Sequence, residues 1–144
     1  TMRRWDGLTR RRTMVGLSAV DAHGLVAGLY RTAFESFTQA VVLDEPLSGD
    51  APSDARRVLR AIRTGNAFSV ITGIADAVAP MLTARDDQRT VSMGGRLTMP
   101  VGHVHIEASV PTPSTARVVI MANDRAVADG LGHAALAGEP EPGA

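Results

Sequence analysis

The spacing of apolar residues follows two different rules along this chain, and the change falls near residue 76. Upstream, helical and buried-strand patterns interleave. Met2 to Leu8 predicts a short amphipathic helix with Trp5 and Leu8 on one face. Thr13-Met14-Val15-Gly16-Leu17 is a short apolar run of the kind buried on both faces in a parallel sheet or barrel. It ends where polar residues enter, at Ser18-Ala19-Val20-Asp21-Ala22-His23-Gly24. Residues 25–36 are irregular and turn helical around Arg31 to Phe37, and Thr38 to Leu43 predicts another strand, stopped by Asp44-Glu45-Pro46. The clearest helix spans 53–64. Ser53 is placed to cap its free amides, and Asp54 suits the positive end of the helix. Ala55, Val58, Leu59 and Ile62 form its apolar stripe, while Arg56, Arg57, Arg60 and Arg63 face away as a solvated surface. Gly65 suits the left-handed residue that ends it, and Ala67 to Thr72 predicts a strand.

Downstream of residue 76 the helical period is lost. Short alternating segments at 80–85, 89–93, 103–110, 116–122 and 125–128 are separated by Asp86-Asp87, Gly94-Gly95, Pro111-Thr112-Pro113 and Asn123-Asp124. Asn123-Asp124 between two apolar segments predicts a tight hairpin turn. Regularly spaced short strands indicate a small β-sandwich. The end, 130–144, is rich in Ala, Gly, Pro and Glu and reads as a disordered tail. Three regions follow: 1–76, 77–129 and 130–144.

Composition narrows the possibilities. Fifteen basic and fifteen acidic residues give a formal net charge of zero, so no global field draws the chain to nucleic acid or an anionic membrane. Every basic residue is Arg. Those at 3, 4, 10, 11 and 12 form a basic patch, but no interleaved aromatics offer bases a stacking platform. Neither a nucleic-acid nor a membrane partner is expected, and no apolar run reaches the ~20 residues of a membrane span. The absence of Cys excludes disulfides and thiolate metal sites. The chain starts at Thr1 and runs almost at once into a buried-strand pattern, so a true N-terminus upstream is expected. Cytoplasmic and exported locations both stay open.

The leading candidate for chemistry is Asp21-Ala22-His23. In an extended segment, residues i and i+2 project to the same side. A carboxylate oxygen and an imidazole nitrogen would then converge at the carboxyl end of a buried strand, where barrel enzymes place their sites. That donor pair suits Zn, Mn or Fe. The motif alone also permits a plainer reading, in which Asp21 caps a turn and His23 is an ordinary loop residue.

The stretch Val15-Gly16-Leu17-Ser18-Ala19-Val20-Asp21-Ala22-His23 resembles the last metal motif of PHP-domain proteins, the polymerase and histidinol phosphatase family. Downstream, Tyr30 to Phe37, Val41-Val42-Leu43 and Ala61-Ile62-Arg63-Thr64-Gly65-Asn66-Ala67-Phe68 are similar to its carbaryl-hydrolase-like branch. The resemblance covers about residues 5–130. It implies an α/β plus β fold: the C-terminal strands and helix of a distorted β/α (PHP-type) barrel, then a small, incomplete β-sandwich. It implies a C-terminal fragment of a metal-dependent hydrolase, with Asp21 and His23 as ligands within a cluster of two or three divalent ions. The implied partner is a small-molecule substrate, a phosphoester or an ester or carbamate. Two departures stand out. Val20 occupies a position where the family usually has Gly or Ser, and the family's opening His-x-His and intermediate His and Glu ligands have no counterpart upstream.

Other motifs carry less. In His103-Val104-His105, Val104, Ile106, Ala108 and Val110 make the apolar face, so His103, His105 and Glu107 belong to the opposite, wet one. No Gly-x-Ser-x-Gly or phosphate-binding glycine loop occurs. Two rival functions remain: a non-catalytic binding or interaction module built on the sandwich, and an amidohydrolase-type barrel with a late-strand Asp. Oligomeric state is not legible.

Overall fold

The computed structural model describes residues 7–9, 12, 14–20, 27–71, 79–111 and 115–138. The helix expected over 2–8 falls largely outside them. The chain divides into two compact units, Val15–Ala77 and Val78–Ala144 together with Thr1–Met14.

The first unit is built around one well-capped helix. Helix α1 (Ala27–Ser36) leads directly into strand β1 (Phe37–Val41), then helix α2 (Ala51–Thr64) and strand β2 (Ala67–Ile71). The cap of α2 is Asp50, not Ser53: its Oδ2 accepts from the Ser53 amide at 3.0 Å, and Ala51-Pro52 form the first turn. Proline suits that turn because its missing N–H would have lacked a helical partner. Asp54 reaches back to accept from the amides of Ser48 (2.9 Å) and Gly49 (2.8 Å). These bonds hold both carboxyls below the usual carboxylate range. Gly65 ends the helix at φ 84°, and its amide donates to the carbonyls of Ala61 and Ile62. The arginine face is less solvated than its spacing implies, since Arg57 is mostly covered and pairs with Glu45 at 3.2 Å and with the Pro46 carbonyl.

The expected fold class is corrected here. β1 and β2 pair antiparallel, with Phe37 opposite Ile71 and Val41 opposite Ala67. A parallel crossover would have to bring the chain back to the start of β1. Instead α2 returns it to the end of β1, where Val42 donates to the Asn66 carbonyl at 2.8 Å, so β2 has to run backward. Nor do residues 14–17 form a strand: Leu17 is 57 % exposed, and the described part of 14–20 has no ladder. A strand of a barrel needs backbone partners on both sides, and Ser18 bonds to a side chain instead. The described residues hold three small antiparallel sheets and no closed barrel.

The second unit is all β. Strands β3 (Met81–Arg85), β4 (Thr90–Ser92), β5 (Val104–Ser109) and β8 (His133–Gly138) form a sheet in the order β4-β3-β5-β8. Strands β6 (Arg117–Ala122) and β7 (Arg125–Leu131) form a hairpin. Its turn residues Asn123 and Asp124 both have positive φ, 50° and 63°, as a type I′ turn demands. The segment expected to be a disordered tail is corrected too, because 130–138 supplies the end of β7 and all of β8. Its small residues are what the site requires: a Cβ on Gly130 would lie 2.2 Å from the His133 carbonyl oxygen. The core is thin. Ala61, Ile120 and Ala134 are the buried hydrophobic residues among those described, and no large side chain is fully enclosed.

Candidate functional site

Asp21 and His23, the residues with metal-ligand spacing, lie outside the described residues. The segment that leads to them does not. Ser18 donates its backbone N–H to Gln39 Oε1 at 3.1 Å and its hydroxyl to the same oxygen at 3.4 Å. Gln39 sits on β1 opposite Ser69 of β2, and Ser69 Oγ donates to that oxygen as well, at 3.0 Å. One carbonyl oxygen thus ties both strands to the chain three residues before Asp21.

A second polar constellation lies on the four-stranded sheet. Register puts Arg85 of β3 opposite His105 of β5, and His105 opposite Ala137 of β8. In the next row Thr83 faces Glu107, and Glu107 faces Ala135. Strand alternation sends all of these to one face and Leu82, Ala84, Ile106, Ala108, Ala134 and Leu136 to the other. Because Ala135 and Ala137 are short beside long neighbours, a shallow depression of about 360 Å³ opens there, its polar lining Thr83, Arg85, His105 and Glu107 and its apolar lining Ile106, Ala135, Leu136 and Ala137. Glu107 Oε1 and His133 Nε2 pair at 2.8 Å on its rim, both largely exposed. His133, read from the sequence as a tail residue, is therefore a sheet residue. His103 is exposed, and its partner in the His-x-His pattern, His105, faces the depression.

Asp86, immediately after β3, carries the most perturbed carboxyl among the described residues. Its side chain is inaccessible to solvent. Oδ1 accepts from the amides of Gln88 (2.9 Å) and Arg89 (2.7 Å), while Oδ2 accepts from the Val101 amide and from Arg89 Nη2, each at 3.2 Å. The backbone donors hold its pKa down, led by Gln88, and bring it to about 2 despite the opposing cost of burial. Arg89 Nη2 also donates to the Thr98 carbonyl at 2.7 Å, so the carboxylate and the guanidinium together bind the turn after β3 to the segment before β5. This is structural work, since every lone-pair direction already has a protein donor.

The donor chemistry of Asp21 and His23 fits a divalent ion of the Zn, Mn or Fe kind. Two donors are fewer than such a site needs, and among the described residues no group of three His, Asp or Glu is close enough to hold an ion. No described helix is long and apolar enough to cross a membrane. Sequence patterns gave little warning of Gln39 or Asp86. Asp86-Asp87-Gln88-Arg89 carries the signature of an Asx turn, but its link to Val101 is long-range. Compared with known proteins, the chain matches no family model, no curated protein and no solved structure.

Proposed function

We propose that this chain is the C-terminal portion of a metal-dependent hydrolase resembling the PHP-domain proteins, in which Asp21 and His23 are two ligands of the metal cluster. The observation that carries the reading is the Asp21-Ala22-His23 motif in its local context. It is followed in order by α1, by β1, by α2 ending at Ala61-Ile62-Arg63-Thr64-Gly65, and by β2. Asp21 offers a carboxylate oxygen and His23 a neutral imidazole nitrogen, so both must be deprotonated to bind. When bound, such a cluster supplies an activated water for attack on a phosphoester, ester or carbamate. The chain's own contribution is to present the two donors from one segment, two residues apart.

The test is to read the coding frame upstream of Thr1 and assay the encoded protein. A His-x-His following a strand pattern, with metal-dependent hydrolysis of p-nitrophenyl phosphate or of an aryl carbamate, supports the reading. An upstream frame without those ligands overturns it.

A second reading, a non-catalytic binding module, is favoured by one observation. The sheet depression presents Arg85 with no ion-pair partner among the described residues, beside His105 and Thr83. A full-length protein that holds no metal, and binds a small anion at Arg85, would favour this module over the hydrolase.

A further inference from the structure

We infer that the depression on the four-stranded sheet binds a small zwitterion, its carboxylate held by Arg85 and its ammonium group by Glu107. The inference rests on the binding-module reading of this depression and draws nothing from Asp21 or His23. Register assembles the site from consecutive rows of one sheet face. Thr90, Arg85, His105 and Ala137 make one row, and Ser92, Thr83, Glu107 and Ala135 make the next. Two residues of strand separate the rows, roughly 7 Å. Arg85 and Glu107 are diagonal neighbours across β3 and β5, close enough for long side chains to meet. They do not pair. Glu107 turns Oε1 to His133 Nε2 at 2.8 Å, and Arg85 forms no ion pair among the described residues. Glu107 Oε2 accepts no hydrogen bond from those residues either. The depression therefore opens between a guanidinium and a carboxylate that have not satisfied each other.

The charges select the ligand. A guanidinium fork matches a carboxylate through two parallel hydrogen bonds. An anion with no cationic end would sit beside Glu107, and a cation with no anionic end beside Arg85, so one wall opposes each of them. A molecule carrying both groups about one row apart meets an opposite charge at each end. His105, opposite Arg85, and the Thr83 hydroxyl, opposite Glu107, offer further hydrogen bonds between the ends. The short side chains of Ala135 and Ala137 leave room and apolar contact for linking methylenes. None of the lining residues is aromatic, so a flat ring finds no stacking surface. At about 360 Å³ the space lies at the small end of ligand sites, which suits a short aliphatic chain.

The test is calorimetric titration of the full-length protein with probes of one chain length: 5-aminopentanoate, pentanoate and pentylamine. 5-Aminopentanoate is expected to bind about tenfold more tightly than either singly charged probe, the contribution of one charge-assisted hydrogen bond. Arg85→Gln and Glu107→Gln should each weaken it by about the same factor. Ala135→Leu should abolish binding by filling the depression, with the fold checked by circular dichroism. Arg60→Gln, on the exposed face of α2, should leave every affinity unchanged. Pentanoate binding as tightly as 5-aminopentanoate, with both lost in Arg85→Gln, would overturn the zwitterion and leave an anion-binding module standing. Pentylamine binding as tightly as 5-aminopentanoate would overturn the role given to Arg85. 5-Aminopentanoate binding that survives both Arg85→Gln and Glu107→Gln would overturn the site. No detectable binding of any probe to the folded protein would overturn the inference and the binding-module reading together.

Discussion

Individual residues here matter most where a polar group is taken out of water, and Asp86 is the plainest case. Its two oxygens each accept two hydrogen bonds, so replacing it by Asn turns one acceptor into a donor facing donors. Asp86→Asn is expected to lower the thermal midpoint by roughly 5 °C at pH 7, a change that melting curves resolve. The pH dependence follows from the sign of the shift. The folded pKa, about 2, lies below the ordinary 3.8, so the folded state favours the ionised carboxyl. Its contribution is complete above about pH 4 and is lost as pH falls toward 2. Melting curves from pH 6 to 2 should show the gap between the unaltered protein and Asp86→Asn closing across that window. A gap that stays constant down to pH 2 would mean the carboxylate is not what stabilises this turn. Asp50 and Asp54 shift the same way and add to the acid sensitivity of the α2 start.

At the scale of elements, two glycines are informative, Gly65 and Gly130. Gly65 closes α2 at φ 84°, a left-handed conformation that costs an L-residue roughly 1–2 kcal/mol. Gly65→Ala should therefore destabilise the Val15–Ala77 unit by about 1 kcal/mol in urea denaturation, with the m-value unchanged. Gly130 is tighter. Any Cβ there would meet the His133 carbonyl, so Gly130→Ala should disturb the entry into β8 and deprotect β8 amides in hydrogen exchange. These elements also show what was legible beforehand. The α2 stripe, the Gly65 stop, the strands β3 to β7 and the Asn123-Asp124 turn depend on local spacing and turn chemistry, and local patterns reveal them. The direction of β2 does not, because it depends on where α2 delivers the chain. β8 was obscured because alanine and glycine, poor strand formers, make up most of it, with Ala135 and Ala137 lining the shallow depression. The strand expected at 13–17 failed for the opposite reason: its apolar pattern is strong, but no ladder partner is present among the described residues.

For the whole molecule, the thin core bears directly on the functional reading. Large apolar side chains stay substantially exposed in both units, among them Phe34, Leu59, Met81 and Leu131 at 61, 50, 65 and 71 %. Such surface weakens cooperativity and invites association. The isolated chain should bind a hydrophobic dye and show concentration-dependent light scattering, whereas a sharp, concentration-independent melting transition would show that it is self-sufficient. The proposed function makes the same demand, since two metal donors do not make a site without others. The most direct measurement is therefore elemental analysis of the full-length protein, alongside Asp21→Ala and His23→Ala variants checked for folding by circular dichroism. The account predicts stoichiometric Zn, Mn or Fe in the unaltered protein and a loss of at least one ion per chain in each variant. Metal-free protein, or metal content unchanged by both substitutions, would contradict it.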